Sequence, residues 1–178
     1  MARSDRPDTP PLATTERRIF LHGCCASWGE QGVLLTGAPG SGKSDLLLRL
    51  VDAGFNLVAD DRVELRIDAQ GAWASPAPNL AGFIEVRGLG IVRMPSRPHA
   101  ALALCVELGD FPDAPRLPPA LRHAETGLWL LRLDARRAGA IAVIRTALRC
   151  LNGEYELFAG LNGADGTILP FPYGIENG

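Results

Sequence analysis

The residues with the clearest chemical purpose are Gly37-Ala38-Pro39-Gly40-Ser41-Gly42-Lys43-Ser44, which follow the pattern G-x-x-x-x-G-K-S. Glycines in such a loop let backbone N–H groups curl around phosphate oxygens with no Cβ in the way. Lys43 can then reach the β- and γ-phosphates, the Ser44 hydroxyl can ligate Mg²⁺, and the start of the next helix adds a partial positive charge. All eight residues, Gly37, Ala38, Pro39, Gly40, Ser41, Gly42, Lys43 and Ser44, are therefore candidates for binding a triphosphate. The pattern carries this meaning only between a buried strand and a helix, and the flanks supply both. Gly32-Val33-Leu34-Leu35-Thr36 is a short apolar run suited to the inside of a sheet. After the loop, Asp45, Arg49 and Asp52 recur at helical spacing while Leu46, Leu47, Leu50 and Val51 fill the other side. That periodicity predicts an amphipathic helix over residues 44–53, stopped by Gly54.

The helix fixes where the next chemical group stands. A helix of about ten residues is roughly 15 Å long, and a strand of about five residues covers nearly the same distance back. A strand over residues 55–59 therefore delivers Asp60 and Asp61 to the edge of the sheet that carries the phosphate loop. A carboxylate there can bind Mg²⁺ or take the proton from an attacking hydroxyl. Successive strand side chains point to opposite faces, so only one of the two is expected to face the γ-phosphate. A third element is Glu85-Val86-Arg87-Gly88-Leu89-Gly90, where Glu85 and Arg87 share a strand face and two glycines permit a tight turn or close approach to a ligand.

Around these residues the pattern predicts a strand over 19–28 and a turn over 29–32. A hairpin is expected to open with 63–67 and turn at Asp68-Ala69-Gln70-Gly71, and further strands are expected at 83–86, 101–107 and 128–133. A second helix is expected over 138–151, with Arg145 and Arg149 four apart on its exposed side. Strand, helix, strand in this order places the fold in the α/β class, with hairpins added. The chain has 178 residues, 47% hydrophobic and 21% charged, which suits one globular domain. Residues 1–17 are polar and Pro-rich and read as a disordered lead-in. The ordered domain is expected over 18–159, followed by a loosely packed tail over 160–178.

Composition excludes several classes. Lys+Arg 18 against Asp+Glu 20 gives a net charge of −2, with no electrostatic reason to bind nucleic acid or an anionic membrane. No apolar run approaches the roughly 20 residues of a membrane span, and the start lacks the apolar stretch of a signal peptide, so the expectation is cytoplasmic. Cys24, Cys25, Cys105 and Cys150 form no C-x-x-C pair and sit mostly among apolar residues, as reduced core thiols do.

From about His22 to Arg149 the chain resembles the catalytic domain of HPr kinase/phosphorylase, which phosphorylates a serine of the phosphocarrier HPr. The resemblance rests on His22-Gly23 ahead of the phosphate loop, the loop itself, Val58-Ala59-Asp60-Asp61, and Glu85-Val86-Arg87-Gly88-Leu89-Gly90. It implies a P-loop domain of the HPr kinase/phosphoenolpyruvate carboxykinase-like type, an ATP- and Mg²⁺-dependent serine kinase that regulates the phosphotransferase system, and an HPr-type phosphocarrier as partner. It further implies a homo-oligomer, a hexamer in the family. By the same resemblance Asp60 is the base that takes the serine proton, Lys43 and Ser44 hold the phosphates and Mg²⁺, and Glu85 is a further Mg²⁺ ligand. His22 and Arg116, the latter matched through Arg116-Leu117, complete the implied catalytic set.

The chain also departs from the family. Full-length members carry an additional N-terminal domain, so the likeness is to the short form known from alphaproteobacteria. A Gly-rich stretch is replaced by Met94-Pro95-Ser96-Arg97-Pro98-His99. The loop tied to dephosphorylation, P-V-R-x-G-R-N in the family, reads Asp134-Ala135-Arg136-Arg137-Ala138-Gly139 here, so weak phosphorylase activity is expected. Two other readings remain: another P-loop small-molecule kinase or a GTPase, although no N-K-x-D motif is present, and a nucleotide-sensing binding module without turnover.

Overall fold

The computed structural model describes residues 16–163. The stretch read as one strand over 19–28 forms two, β1 (Arg17–His22) and β2 (Cys24–Trp28), broken at Gly23. A Cβ at residue 23 would stand 2.8 Å from the Leu35 carbonyl oxygen, so only glycine lets the chain cross this close to its neighbour. β1 begins at Arg17, the last residue of the expected lead-in. There follow β3 (Gln31–Gly37), α1 (Lys43–Asp52), β4 (Asn56–Ala59), β5 (Arg62–Asp68) and β6 (Gly71–Pro76). The second half contains β7 (Phe83–Val86), β8 (Gly90–Arg93), β9 (Ala100–Leu108), β10 (Leu130–Leu133) and α2 (Ala140–Leu151). β8 was not expected; it is the return arm of a hairpin turned by Arg87-Gly88-Leu89. The second helix starts two residues later than its periodicity predicts, because Gly139 serves as its N-cap. Most of the expected tail lies outside the described residues, but Leu161 is buried against α2's core.

The main sheet runs β1-β5-β6-β9-β3-β2-β4, with β10 also paired to β9, and β7 and β8 form a separate two-stranded sheet. Three strands are parallel: β3 and β10 both pair with β9. Their register puts Gly37 and Leu133 each opposite Leu108, so the three strands end in one row. Each of the two outer members then leads into a helix on the same face. Leu46, Leu47 and Leu50 of α1 and Ile144 and Leu148 of α2 pack there against Val33, Leu35, Leu104 and Val106. The other face carries a second cluster that includes Cys25, Leu34, Val58, Val63, Leu65 and Cys105. Alternation along β3 sends Val33 and Leu35 to one cluster and Leu34 to the other, as a strand buried on both faces requires. No helix among the described residues is long and apolar enough to cross a membrane.

Arg145, expected on the solvent side of α2, is half-buried instead. Its guanidinium lies 4.6 Å from the Trp28 ring centroid and donates to the Ala53 carbonyl at 2.7 Å, capping α1. Trp28 in turn packs on Phe55 at 4.9 Å between centroids. One side chain thus ties α2 to the C-terminus of α1 and to the end of β2. Arg145→Ala is expected to lower the unfolding free energy by about 1–2 kcal/mol, the sum of a partly desolvated cation–π contact and one charged hydrogen bond. A urea midpoint unchanged from wild type would contradict this.

Candidate functional site

The phosphate loop joins the end of β3 to the start of α1, at the row where the parallel strands stop. Gly37, Gly40 and Gly42 have φ of 138°, 80° and 92°, a region that disfavours any side chain. Gly37 is constrained twice, since a Cβ there would stand 2.4 Å from the Leu108 carbonyl oxygen. Gly42 is the N-cap of α1 and offers no side-chain cap, so the first N–H groups of the helix remain open to a ligand anion. Lys43, the only lysine in the chain, is 6% exposed. Its ammonium donates to the Gly37 and Ala38 carbonyls at 2.9 and 3.1 Å. It is therefore held across the mouth of the loop.

The two aspartates part company as strand alternation requires. Asp60, at 7% exposure, turns in toward α1, while Asp61 turns out with its side chain 73% exposed. The reversal is made at Asp61, which adopts a left-handed φ of 64°. Asp60 Oδ1 accepts from the Ser44 hydroxyl at 2.9 Å and from the Cys24 thiol at 3.0 Å. Asp60 Oδ2 accepts from the Glu85 backbone N–H at 3.2 Å. The loop serine, the inward aspartate and the β7 strand thus meet at one carboxylate. The Glu85 side chain itself is exposed, on the hairpin face it shares with Phe83, Ile91 and Arg93.

The remaining expected residues stand further out. His22, half-exposed at the end of β1, places Nδ1 3.1 Å from Asp61 Oδ1 rather than from Asp60. It borders the cluster through Gly23, whose N–H donates to the Asp61 carbonyl at 3.2 Å. Arg116 is exposed and lines a groove of about 690 Å³ with Leu117, Trp129, Val143, Cys150 and Leu161, on the outer side of α2. It makes no hydrogen bond or ion pair with the phosphate loop, Asp60 or Glu85. The 134–139 loop does lie at the phosphate edge: a Cβ on Gly42 would be 2.9 Å from Ala135 Cβ, and Arg49 donates to the Ala135 carbonyl. There Asp134 accepts from Arg136 N–H at 3.0 Å and from its guanidinium at 3.1 Å. Those bonds hold the Asp134 carboxyl below its usual range.

Sequence reasoning missed Cys24, which it counted among core thiols. Burial, then the Asp60 charge, pushes this thiol up to about 12, so it is a donor and not a nucleophile. The signal that could have found it is its place two residues after His22, on the strand that runs between β3 and β4. Cys25 and Cys105 are also buried, and burial pushes Cys25 up and Cys105 up to about 11.

Comparison with known proteins adds an independent line. Residues 13–103 match the family described as HPr Serine kinase C-terminal domain. HPr kinase/phosphorylase of Halalkalibacterium halodurans is 35% identical over 122 residues, 64% of this chain and 39% of that protein. The protein of the same name in Neisseria meningitidis is 41% identical over 100 residues, 52% of this chain and 31% of that protein. The chain therefore spans roughly a third of the length of these relatives. The solved Hpr(Ser) kinase/phosphatase from Coxiella burnetii shares the fold, with a TM-score of 0.62 and 24% identity over 76% of this chain and 92% of that one.

The burial pattern has a direct chemical consequence. In the native protein at pH 8, a disulfide thiol reagent is expected to modify Cys150, which is only partly buried, while Cys24, Cys25 and Cys105 react only after unfolding. Rapid release of more than one equivalent from folded protein would contradict the arrangement.

Proposed function

Because the chain belongs to the HPr serine kinase C-terminal domain family, we propose that it is an ATP- and Mg²⁺-dependent kinase acting on a serine of an HPr-type phosphocarrier, and so regulating a phosphotransferase system in the cytoplasm. The observation that carries this reading is the Asp60 carboxylate, bonded to the loop serine at 2.9 Å and set at the edge where a γ-phosphate would end. A purely nucleotide-holding loop has no need of a proton acceptor there; a kinase does.

The residues fit the metal the family implies. Ser44 Oγ and the Glu85 carboxylate are hard oxygen donors, few in number, as suits a Mg²⁺ that keeps waters and phosphate oxygens as its other ligands. In this reading Ser44 and Glu85 hold the ion, and its chemistry when bound is to neutralise charge on the phosphates. Lys43 exchanges its loop carbonyls for β- and γ-phosphate oxygens, the open N–H groups of α1 bind the same phosphates, and Asp60 takes the proton of the serine hydroxyl as it attacks in line. His22 acts through Asp61 at the rim. Arg116 requires the groove loop to approach the site, from the same chain or from a neighbouring copy in the homo-oligomer.

The test is mass spectrometry of a serine-bearing phosphocarrier before and after incubation with this protein and Mg-ATP. A gain of one phosphate at serine supports the kinase reading. Nucleotide binding with no transfer to any carrier would favour a sensing module. Two variants separate binding from chemistry. Asp60→Asn keeps Mg-ATP affinity while transfer falls at least about a hundredfold, whereas Lys43→Ala loses nucleotide affinity itself. Full activity in Asp60→Asn would show that this carboxylate is not the base.

The reverse reaction should be weak. Phosphorolysis breaks the serine O–P bond and joins the phosphoryl group to inorganic phosphate, giving pyrophosphate and free serine. Two mutually repelling anions must then be held together, which needs cations beyond those that hold ATP. In the loop beside Gly42, Asp134 already occupies Arg136. With serine-phosphorylated carrier, excess phosphate and no ATP, pyrophosphate release is expected to be much slower than the forward reaction. Equal rates would overturn this.

A further inference from the structure

We propose that Cys24 is a positioning residue for Asp60: its thiol and the Ser44 hydroxyl together occupy Oδ1, which leaves Oδ2 as the oxygen that meets the acceptor hydroxyl. The inference rests on the kinase reading above and deepens it.

The geometry is specific to this thiol. Cys24 is fully buried, with Sγ 3.0 Å from Asp60 Oδ1 and 3.9 Å from Ser44 Oγ. Its neighbour Cys25 points to the opposite face, where its nearest acceptor is the Ala26 carbonyl at 3.7 Å, and Cys105 contacts Thr126 at 3.4 Å. Cys24 alone among the cysteines reaches a charged group of the site.

A carboxylate on a short side chain turns easily about its last bond, because that torsion is broad and nearly two-fold. With Ser44 as the only donor to Oδ1, rotation would exchange the two oxygens or tilt their plane. Donors on three different elements remove that freedom: Ser44 on α1 and Cys24 on β2 fix Oδ1, and the Glu85 N–H on β7 fixes one lone pair of Oδ2. The remaining lone pair of Oδ2 is the one available to a substrate proton. Ser44 is also the residue that offers a lone pair to a metal ion in the kinase reading, so its hydroxyl serves two partners while the Cys24 thiol serves the carboxylate. Cys24 has one proton to donate and gives it to Oδ1, while its sulfur also meets the Asp61 backbone N–H, so the thiol holds Oδ1 throughout.

The experiment compares Cys24→Ala, Cys24→Ser and Cys25→Ala. Cys25→Ala removes a thiol of equal size from the other face and controls for the void. Cys24→Ala is expected to lower kcat about tenfold with KM for Mg-ATP within about twofold, Cys24→Ser to recover most of the loss, and Cys25→Ala to leave kcat unchanged. Wild-type kcat in Cys24→Ala overturns the proposal, and so does a loss that serine fails to rescue or that Cys25→Ala reproduces. A second measurement needs no turnover. The S–H stretch lies in an infrared window clear of other protein bands, and the wild-type minus Cys24→Ala difference should show a component shifted down by the carboxylate. That component should move back in Asp60→Asn. If the wild type phosphorylates no carrier, the kinase reading falls, and the infrared difference still decides whether the thiol holds the carboxylate. An unshifted band overturns the contact in either case.

Discussion

Everything near the site is organised around one buried carboxylate. Asp60 is 7% exposed, and a charge so placed costs several kcal/mol unless hydrogen-bond donors replace the water it has lost. The donors come from α1, β2 and β7, three elements separated in sequence by the phosphate loop and two hairpins. The charge is therefore tolerated only when the phosphate loop, the central sheet and the β7–β8 hairpin are assembled together. Folding and the readiness of the site are in this sense one requirement. A misplaced α1 would leave a buried anion without its hydroxyl partner.

The sheet meets that requirement through register. Gly37 and Leu133 are both level with Leu108, so the loop after β3 and the loop after β10 leave the sheet side by side. Close packing in that row explains why Gly37 and Gly42 tolerate no Cβ: one faces the Leu108 carbonyl and the other Ala135. The glycines of the motif therefore serve two ends at once. They leave the first N–H groups of α1 without a side-chain cap, and they let the loop lie against the neighbouring strand end. The Arg145 contact with Trp28 and Ala53 then fixes α1 at its far end, which keeps its N-terminus from shifting along the sheet.

Much of this is legible in the amino-acid sequence itself. The period change across Gly37–Ser44 located β3 and α1, and simple lengths brought Asp60 and Asp61 back to the loop. Alternation said that one aspartate would turn in, though not that a left-handed Asp61 would make the reversal. Other features were invisible for physical reasons. The run 19–28 is apolar on both sides of Gly23, and what divides it is pairing with β5 for one half and with β3 and β4 for the other. Such non-local partners leave no local pattern. Cys24 looked like any core thiol because its carboxylate lies 36 residues away in sequence. Arg116 sits in a Pro-rich loop without periodicity, and nothing in its neighbours foretold the groove beside α2.

The contrast between readable and unreadable parts follows the division of the site itself. On the side of the glycine-rich loop Lys43 and Asp60 are buried, and the glycines obey strict limits of φ and space. Each such position admits one or very few residue types, so the sequence there is dense with information. On the other side Glu85, Arg87 and Arg116 are exposed, and His22 meets Asp61 at the rim. A solvated side chain is limited chiefly by its charge and reach, and many sequences satisfy those. The buried half is thus rigid and legible. The other half is open, its side chains set by solvent and by one another rather than by the core.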